Sequence, residues 1–304
     1  MSSLPCWSFK DSPSNGHIAR IIALFLLFMA PFAGISFLSG CAQVPVTGRS
    51  QLNLVPDSQL LAMSEQEYRK FLRKHRLCQD PAKVAMVKRV GRRISQAVER
   101  FLYENGQINR IRGYKWEFNL VCGKDINAFC MPGGKVVVYS GLLPIARDEN
   151  GLAVVLGHEI AHAVANHAAE RLSQALLLQL GGDALSMLTG SYSPATRHLL
   201  MQLYGLGANV GVLLPYSRTQ EYEADHLGLI FMAMAGYDPR GALAFWKRMM
   251  AAARNKPRPP ELLSTHPSDR ARLERIIQYL PEALSYYRRY LQEHGMKKRP
   301  VRRF

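Results

Sequence analysis

The chain has 304 residues, 48% of them hydrophobic and 20% charged, with a formal net charge of +16. That balance excludes a disordered or collagen-like chain and suits one medium domain with a sizeable core. The excess of Lys and Arg favours anionic lipid or acidic stretches of polypeptide, and nucleic acid is not expected as a partner because the N-terminus reads as an export signal.

A short polar start ends at Arg20, and an apolar run follows from Ile21 to Leu38. It closes on Leu38-Ser39-Gly40-Cys41, a lipobox-like tetrapeptide. Residues 1–40 are therefore expected to be a lipoprotein signal peptide, with Cys41 the lipidation site and 41–56 a lipidated tether. An uncleaved membrane anchor is the alternative, since the run is near spanning length. Cys78, Cys122 and Cys130 remain, and a Cys122–Cys130 bridge is one pairing the spacing leaves open.

A folded domain is expected over 57–294. Asp57–His75 and Pro81–Tyr103 read as helices, the second with a stripe of Val84, Val87, Val90 and Ile94. Tyr114–Val121 and Lys135–Tyr139 read as strands flanking Asn127–Met131, with a tight turn at Gly133-Gly134. Asp148–Ser173 reads as one long helix, capped by Asp148 or Asn150, with Leu152, Val155, Leu156 and Ile160 on its core face.

That helix carries His158-Glu159-Ile160-Ala161-His162. Residues four apart on a helix share a face, so both imidazoles can reach one cation, and Glu159 between them can take a proton from water. His158 and His162 are candidate zinc ligands and Glu159 a candidate catalytic base. Histidines buried singly are more often core residues satisfied by hydrogen bonds. His167 falls one residue short of the third histidine of the H-E-x-x-H-x-x-G-x-x-H pattern and reads as a packing or supporting residue.

A catalytic zinc needs a third protein ligand. Glu221, in the segment Ser217–Asp225, is the best candidate for it, and Asp225, four residues on, can accept the second N–H of His158. Glu223 faces elsewhere and reads as solvated or salt-bridged. Before this segment, 172–216 is apolar and read as a lid, a spanning hairpin being the alternative. Gly236-Tyr237-Asp238-Pro239 reads as a helix break, with Asp238 capping a helix through Met249. A basic Pro-rich loop follows at 254–260. His266, before Pro267, is a further catalytic candidate; it can stabilise an oxyanion or bind the metal reversibly and block it. Arg272 is expected to order its loop through an ion pair, and Arg270 to lie on the surface. Ser268–Tyr279 and Pro281–His294 complete the helices, and 295–304 is a basic tail. Because a sheet edge can add an extended peptide as a new strand, Asn127 and Ala128 are candidate substrate-binding residues.

Val44–Arg49, Asn127–Gly134, His158–His162, Glu221–Asp225, Gly236–Pro239 and Thr265–Pro267 together give a resemblance that spans most of the chain. The chain resembles the HtpX-like zinc metallopeptidases, which include the CAAX prenyl proteases. The resemblance implies an α+β, predominantly helical gluzincin with a small sheet beside the metal helix. It implies one zinc ion, an endopeptidase acting on misfolded or stalled envelope proteins, and a soluble lipid-anchored branch without the repeat array some relatives carry. With Ala42 after the lipid site, it also implies the periplasmic face of a bacterial outer membrane. A chaperone with a latent or structural zinc is the rival expectation, and the sequence leaves the oligomeric state open.

Overall fold

Six helices of three turns or more and a three-stranded sheet carry the architecture among the described residues, which in this computed structural model are 41–175, 217–254, 260–266 and 270–296. The chain divides into Met1–Ala42 and Gln43–Phe304. All the elements labelled here belong to the second unit.

Helix α1 is Asp57–Lys74 and α2 is Pro81–Glu104. The Asp80 carboxylate accepts the Lys83 N–H at 3.1 Å, and Pro81 opens the helix where its missing N–H costs nothing. The expected stripe buries Val87, Val90 and Ile94, extended by Val98, Phe101 and Leu102.

The sheet is β1 (Glu117–Val121), β2 (Ala128–Met131) and β3 (Lys135–Tyr139), in the order β1-β3-β2. β1 runs parallel to β3 with Glu117 opposite Lys135, and β2 runs antiparallel to β3 with Ala128 opposite Val138. β3 is buried along its whole length and β2 is an edge. The strand expected from Tyr114 starts only at Glu117. Its partner β3 begins at Lys135, because Gly133 and Gly134 (φ +86° and +79°) curl the chain just before it.

Helix α3, Glu149–Val164, passes through the middle of the molecule. It packs against α2, β2, α4 (Arg218–Met234) and α5 (Gly241–Ala253). Helices apolar all round belong in a core. A one-sided stripe therefore understates this one, since Ala153 and Ala161 are buried as fully as Leu152 and Ile160 and Val154 is buried too. Asp148 caps it, accepting the Gly151 N–H at 2.8 Å. The single helix expected over Asp148–Ser173 is interrupted. Asn166 takes a left-handed conformation (φ +56°), which asparagine tolerates better than most residues, and helical structure resumes over 167–175.

Ser217 and Gln220 form a reciprocal capping box at the start of α4. Helices α3 and α4 cross with their backbones in contact. A Cβ on Gly157 would lie 2.7 Å from the Gly228 carbonyl oxygen, and one on Gly228 would lie 2.8 Å from the His158 nitrogen. Gly236 (φ +81°) ends the following turn. Asp238 shapes a turn ahead of α5 by accepting the Arg240 N–H at 3.0 Å. Where two terminal helices were expected there is one, α6, Arg270–Glu293, with Pro281 inside it. Proline removes a bond to the Ile277 carbonyl, and Ile277 is 54% exposed, on the solvent side of the helix.

The disulfide joins Cys78 to Cys122, with Cys130 free, so the Cys122–Cys130 pairing does not form. Backbone hydrogen bonds from Cys78 N to Leu120 O and from Cys122 N to Arg76 O (both 2.9 Å) lay the chain before α2 beside β1. Cys130 sits in β2, beyond the intervening β3. The stretch expected as a tether is partly built into the fold, since Val44, Gln51 and Val55 are buried. The apolar run Ile21–Leu38, nearly all of the 172–216 segment and residues 297–304 lie outside the described residues. No helix among the described residues is long and apolar enough to cross a membrane.

Candidate metal centre

Four side chains converge where α3, α4 and the end of a short helix that precedes α6 in the chain meet. His158 and His162 project from successive turns of α3, Glu221 from the first turn of α4, and His266 from the end of the short helix Glu261–Thr265. All four are buried, and their potential ligand atoms lie within 4.8 Å of one another. The two Nε2 atoms of His158 and His162 are 3.1 Å apart. Glu221 places Oε2 3.5 Å from His158 Nε2 and Oε1 3.3 Å from His162 Nε2. His266 Nδ1 lies 3.3 Å from His158 Nε2 and 2.8 Å from Glu221 Oε1. Tetrahedral zinc with bonds of about 2.0–2.1 Å separates its ligands by about 3.3 Å, which is the scale of these edges. Glu159 Oε1 is a buried oxygen without a hydrogen bond, and Glu221 Oε2 has only ion-pair contacts, Arg272 Nη1 being 3.0 Å away. Such oxygens are costly unless an ion or water reaches them, so the donor set fits a zinc ion.

Asp225 lies beneath His158, its Oδ1 3.0 Å from the ring's Nδ1. The carboxylate accepts that N–H, which leaves the Nε2 lone pair facing the cluster. Burial and Arg272 oppose charge on the His158 ring, but Asp225 and Glu221 outweigh them and raise its pKa. Arg272 is 1% exposed, in contrast to Arg270, whose side chain is 93% exposed. Arg272 Nε reaches Asp225 Oδ2 at 2.7 Å and Nη1 lies 3.0 Å from Glu221 Oε2. Burial raises the Glu221 pKa, yet His266 and Arg272 hold it well below the usual carboxylate range. Glu159 differs. Burial pushes its carboxyl up to about 7, with His266 lowering it and Glu221 raising it by less. Its Oε1 sits 3.5 Å from His266 Nε2. A carboxyl balanced near neutrality is suited to exchanging protons with a reacting group.

Of the sequence-derived residues, the structure brings His158, Glu159, His162, Glu221, Asp225 and His266 into one site. Asn127 and Ala128 stand at the start of the edge strand β2, which packs on α3. Both are buried, and Asn127 O accepts the Tyr139 N–H at 3.0 Å. Cys41 begins a short strand, Cys41–Gln43, away from these elements in sequence. Two features go beyond the sequence reading. Arg272 orders the site itself as well as its loop. Of the two alternatives for Glu223, solvated or salt-bridged, the second holds, and what the sequence did not show is its burial, its partner Arg49 and the place of His167 between it and His162. The available signal was Arg49 in the Val44–Arg49 motif, a cation 174 residues from its partner with no local acid to explain it.

A buried H-E-x-x-H helix, a carboxylate from a later helix and a small sheet alongside define a zincin-type metallopeptidase. Residues 89–279 match the model of Peptidase family M48, and the chain belongs to that family. It is a metalloendopeptidase whose metal is zinc. It is 34% identical to the mitochondrial metalloendopeptidase OMA1 of Schizosaccharomyces pombe over 282 residues, covering 91% of this chain and 76% of the relative. It is 37% identical to the mitochondrial OMA1 metalloendopeptidase of Bos taurus over 249 residues, covering 79% and 46%. The Beta-barrel assembly-enhancing protease of Escherichia coli is 27% identical over 268 residues, covering 87% and 52%. The chain thus spans about half the length of the last two. The expected location on the periplasmic face of a bacterial outer membrane is contradicted, because the relatives at 34% and 37% identity are mitochondrial proteins. The physical reason is that a polar start and an apolar run signal transfer to a membrane without specifying which one.

Proposed function

We propose that this chain hydrolyses peptide bonds of misfolded or stalled proteins, with His158, His162 and Glu221 holding the zinc and Glu159 acting as general base. The observation that carries this reading is the meeting of three donor atoms from two helices beside a buried carboxyl poised near pH 7. When bound, the ion supplies Lewis-acid polarisation of the scissile carbonyl and acidifies water at the site. Glu159 takes a proton from the attacking water as its oxygen bonds to the carbonyl carbon. The same carboxyl then delivers that proton to the departing amide nitrogen as the C–N bond breaks. Asp225 and Arg272 keep His158 oriented throughout. His266 would donate to the developing oxyanion or, in a resting state, complete the ligand set, a role its place in the ligand cluster supports.

Asn127 and Ala128 would seat the substrate by adding an extended segment to the free edge of β2, which favours unfolded chains. The motifs shared with the HtpX-like branch support this architecture, and the name of the Escherichia coli relative points toward proteins caught during β-barrel assembly. Cys41, behind an apolar run and two small residues, supports a lipid tether to a membrane surface.

The second reading is a chaperone with latent zinc, and the observation that favours it is His266 inside the ligand cluster. One experiment separates the two. Glu159→Gln is expected to abolish casein cleavage while leaving zinc bound. Cleavage by the variant at the wild-type rate would remove Glu159 from the mechanism. Full rescue of a deletion strain by this inert variant would favour the chaperone.

A further inference from the structure

We propose that Arg49, Glu223 and His167 form a positioning relay that fixes the tautomer of His162, making the segment 44–55 a working part of the metal centre. This rests on the reading of His162 as a zinc ligand through Nε2. Behind that ring, His162 Nδ1 is 2.9 Å from His167 Nδ1. On the far side of His167, Nε2 is 3.1 Å from Glu223 Oε2. His167 is fully buried and Glu223 nearly so.

The proton positions along this line follow from one another. A metal-facing lone pair on His162 Nε2 requires the ring's hydrogen on Nδ1. His167 Nδ1 must then accept it, so the hydrogen of His167 resides on Nε2 and is donated to Glu223. Glu223 can only accept, because donors surround it. Thr47 Oγ1 donates to Oε1 at 2.9 Å, and Arg49 donates from Nε to Oε1 at 2.8 Å and from Nη2 to Oε2 at 2.9 Å. Inverting any one link places a hydrogen on His162 Nε2, where zinc must bind.

Arg49 is itself fixed. Its Nη1 and Nη2 donate to the two oxygens of Glu170 at 2.6 and 2.8 Å, and Gln220 Nε2 donates to Glu170 Oε2 at 2.7 Å. The guanidinium therefore ties the N-terminal stretch to both the helical residues after Asn166 and the start of α4. The left-handed Asn166 is what returns His167 to His162, five residues back. His158 receives the equivalent service from Asp225 and Arg272. Each of the two histidines of α3 is thus backed by an acid clamped by an arginine, one through a direct contact and one through an intervening imidazole.

The test is zinc affinity of the purified full chain, read by competition with a chromophoric chelator alongside the thermal midpoint of the metal-free protein. His167→Leu, which can neither accept nor donate, is expected to weaken zinc binding by roughly 10–100-fold. His167→Gln, whose amide can accept from His162 and donate to Glu223, is expected to stay within about threefold of wild type. Arg49→Lys, which cannot bridge both acids, is expected to weaken binding by about tenfold and decides the matter should His167→Leu fail to fold. Wild-type affinity in His167→Leu or Arg49→Lys, or equal weakening in the Leu and Gln variants, would overturn the relay. His162→Ala tests the underlying reading separately: undiminished zinc affinity there would remove His162 as a ligand, and the relay with it.

Discussion

Arg272 grips both carboxylate oxygens of Asp225, at 2.7 and 2.8 Å, while its guanidinium carbon lies 3.6 Å from the centre of the Trp246 ring. A charge this deeply buried is stable only because partners surround it. The pair joins α6 to α4 at the point where α4 supplies Glu221, so the last helix of the domain reaches the metal through one side chain.

Removing that side chain while keeping its bulk exposes the dependence. Arg272→Met leaves the buried Asp225 with the His158 ring alone as its partner and is expected to lower stability by about 3–5 kcal/mol. Chemical denaturation of the metal-free protein measures this. A loss below about 1 kcal/mol would mean that Asp225 finds another partner or water.

The crossing of α3 and α4 sets the distance between the two histidines and Glu221. Gly228→Ala puts a methyl group 2.8 Å from the His158 nitrogen, so the helices must separate. The expected cost is about 1–3 kcal/mol, with weakened zinc retention beyond what Gly241→Ala causes. At Gly241 the added carbon meets the Asn150 side-chain nitrogen at 2.1 Å, so a movable amide yields there instead of backbone. Thermal melts and metal content of the two variants make the comparison.

The Arg49 clamp predicts acid sensitivity. Burial raises the Glu223 pKa, but hydrogen bonds from His167, Arg49 and Thr47 prevail and lower it to about 2, against an ordinary 4.5. A carboxylate with a depressed folded-state pKa stabilises fully above its unfolded value and loses that contribution as pH falls through the folded one. The gap in thermal midpoint between wild type and Glu223→Gln should therefore be full above pH 4.5 and shrink toward pH 2. A gap constant across that window would show that the charge of Glu223 does not contribute.

The Cys78–Cys122 bridge closes a loop of 44 residues holding all of α2. Cys78→Ser with Cys122→Ser is expected to cost about 2–4 kcal/mol, read by denaturation without reductant. Loss of zinc in that variant before unfolding would indicate that the bridge acts on the site instead.

Much of the site was legible in the sequence because its spacing is local. His158 and His162 share a helix face at four residues, as do Glu221 and Asp225, and helix geometry alone puts each pair together. The extent of α2 followed in the same way from its stripe of Val84, Val87, Val90 and Ile94. Two interactions that no motif or local spacing marks were not legible. Arg49 and Glu223 are 174 residues apart, and the Cys78–Cys122 pairing depends on which chain lies beside β1. The break at Asn166 was hidden because the surrounding alanines favour helix, and one left-handed residue overrides them. Pro281 misled in the opposite direction: a proline on the exposed side of a well-packed helix bends the rule without ending the helix.

The central claim is one zinc ion held by His158, His162 and Glu221, and the most direct measurement is zinc per chain in the purified protein and in Glu221→Ala. The wild type should carry one equivalent after exhaustive dialysis, and Glu221→Ala should carry far less while keeping its helical circular dichroism. A full equivalent retained by a folded Glu221→Ala protein would contradict the assignment.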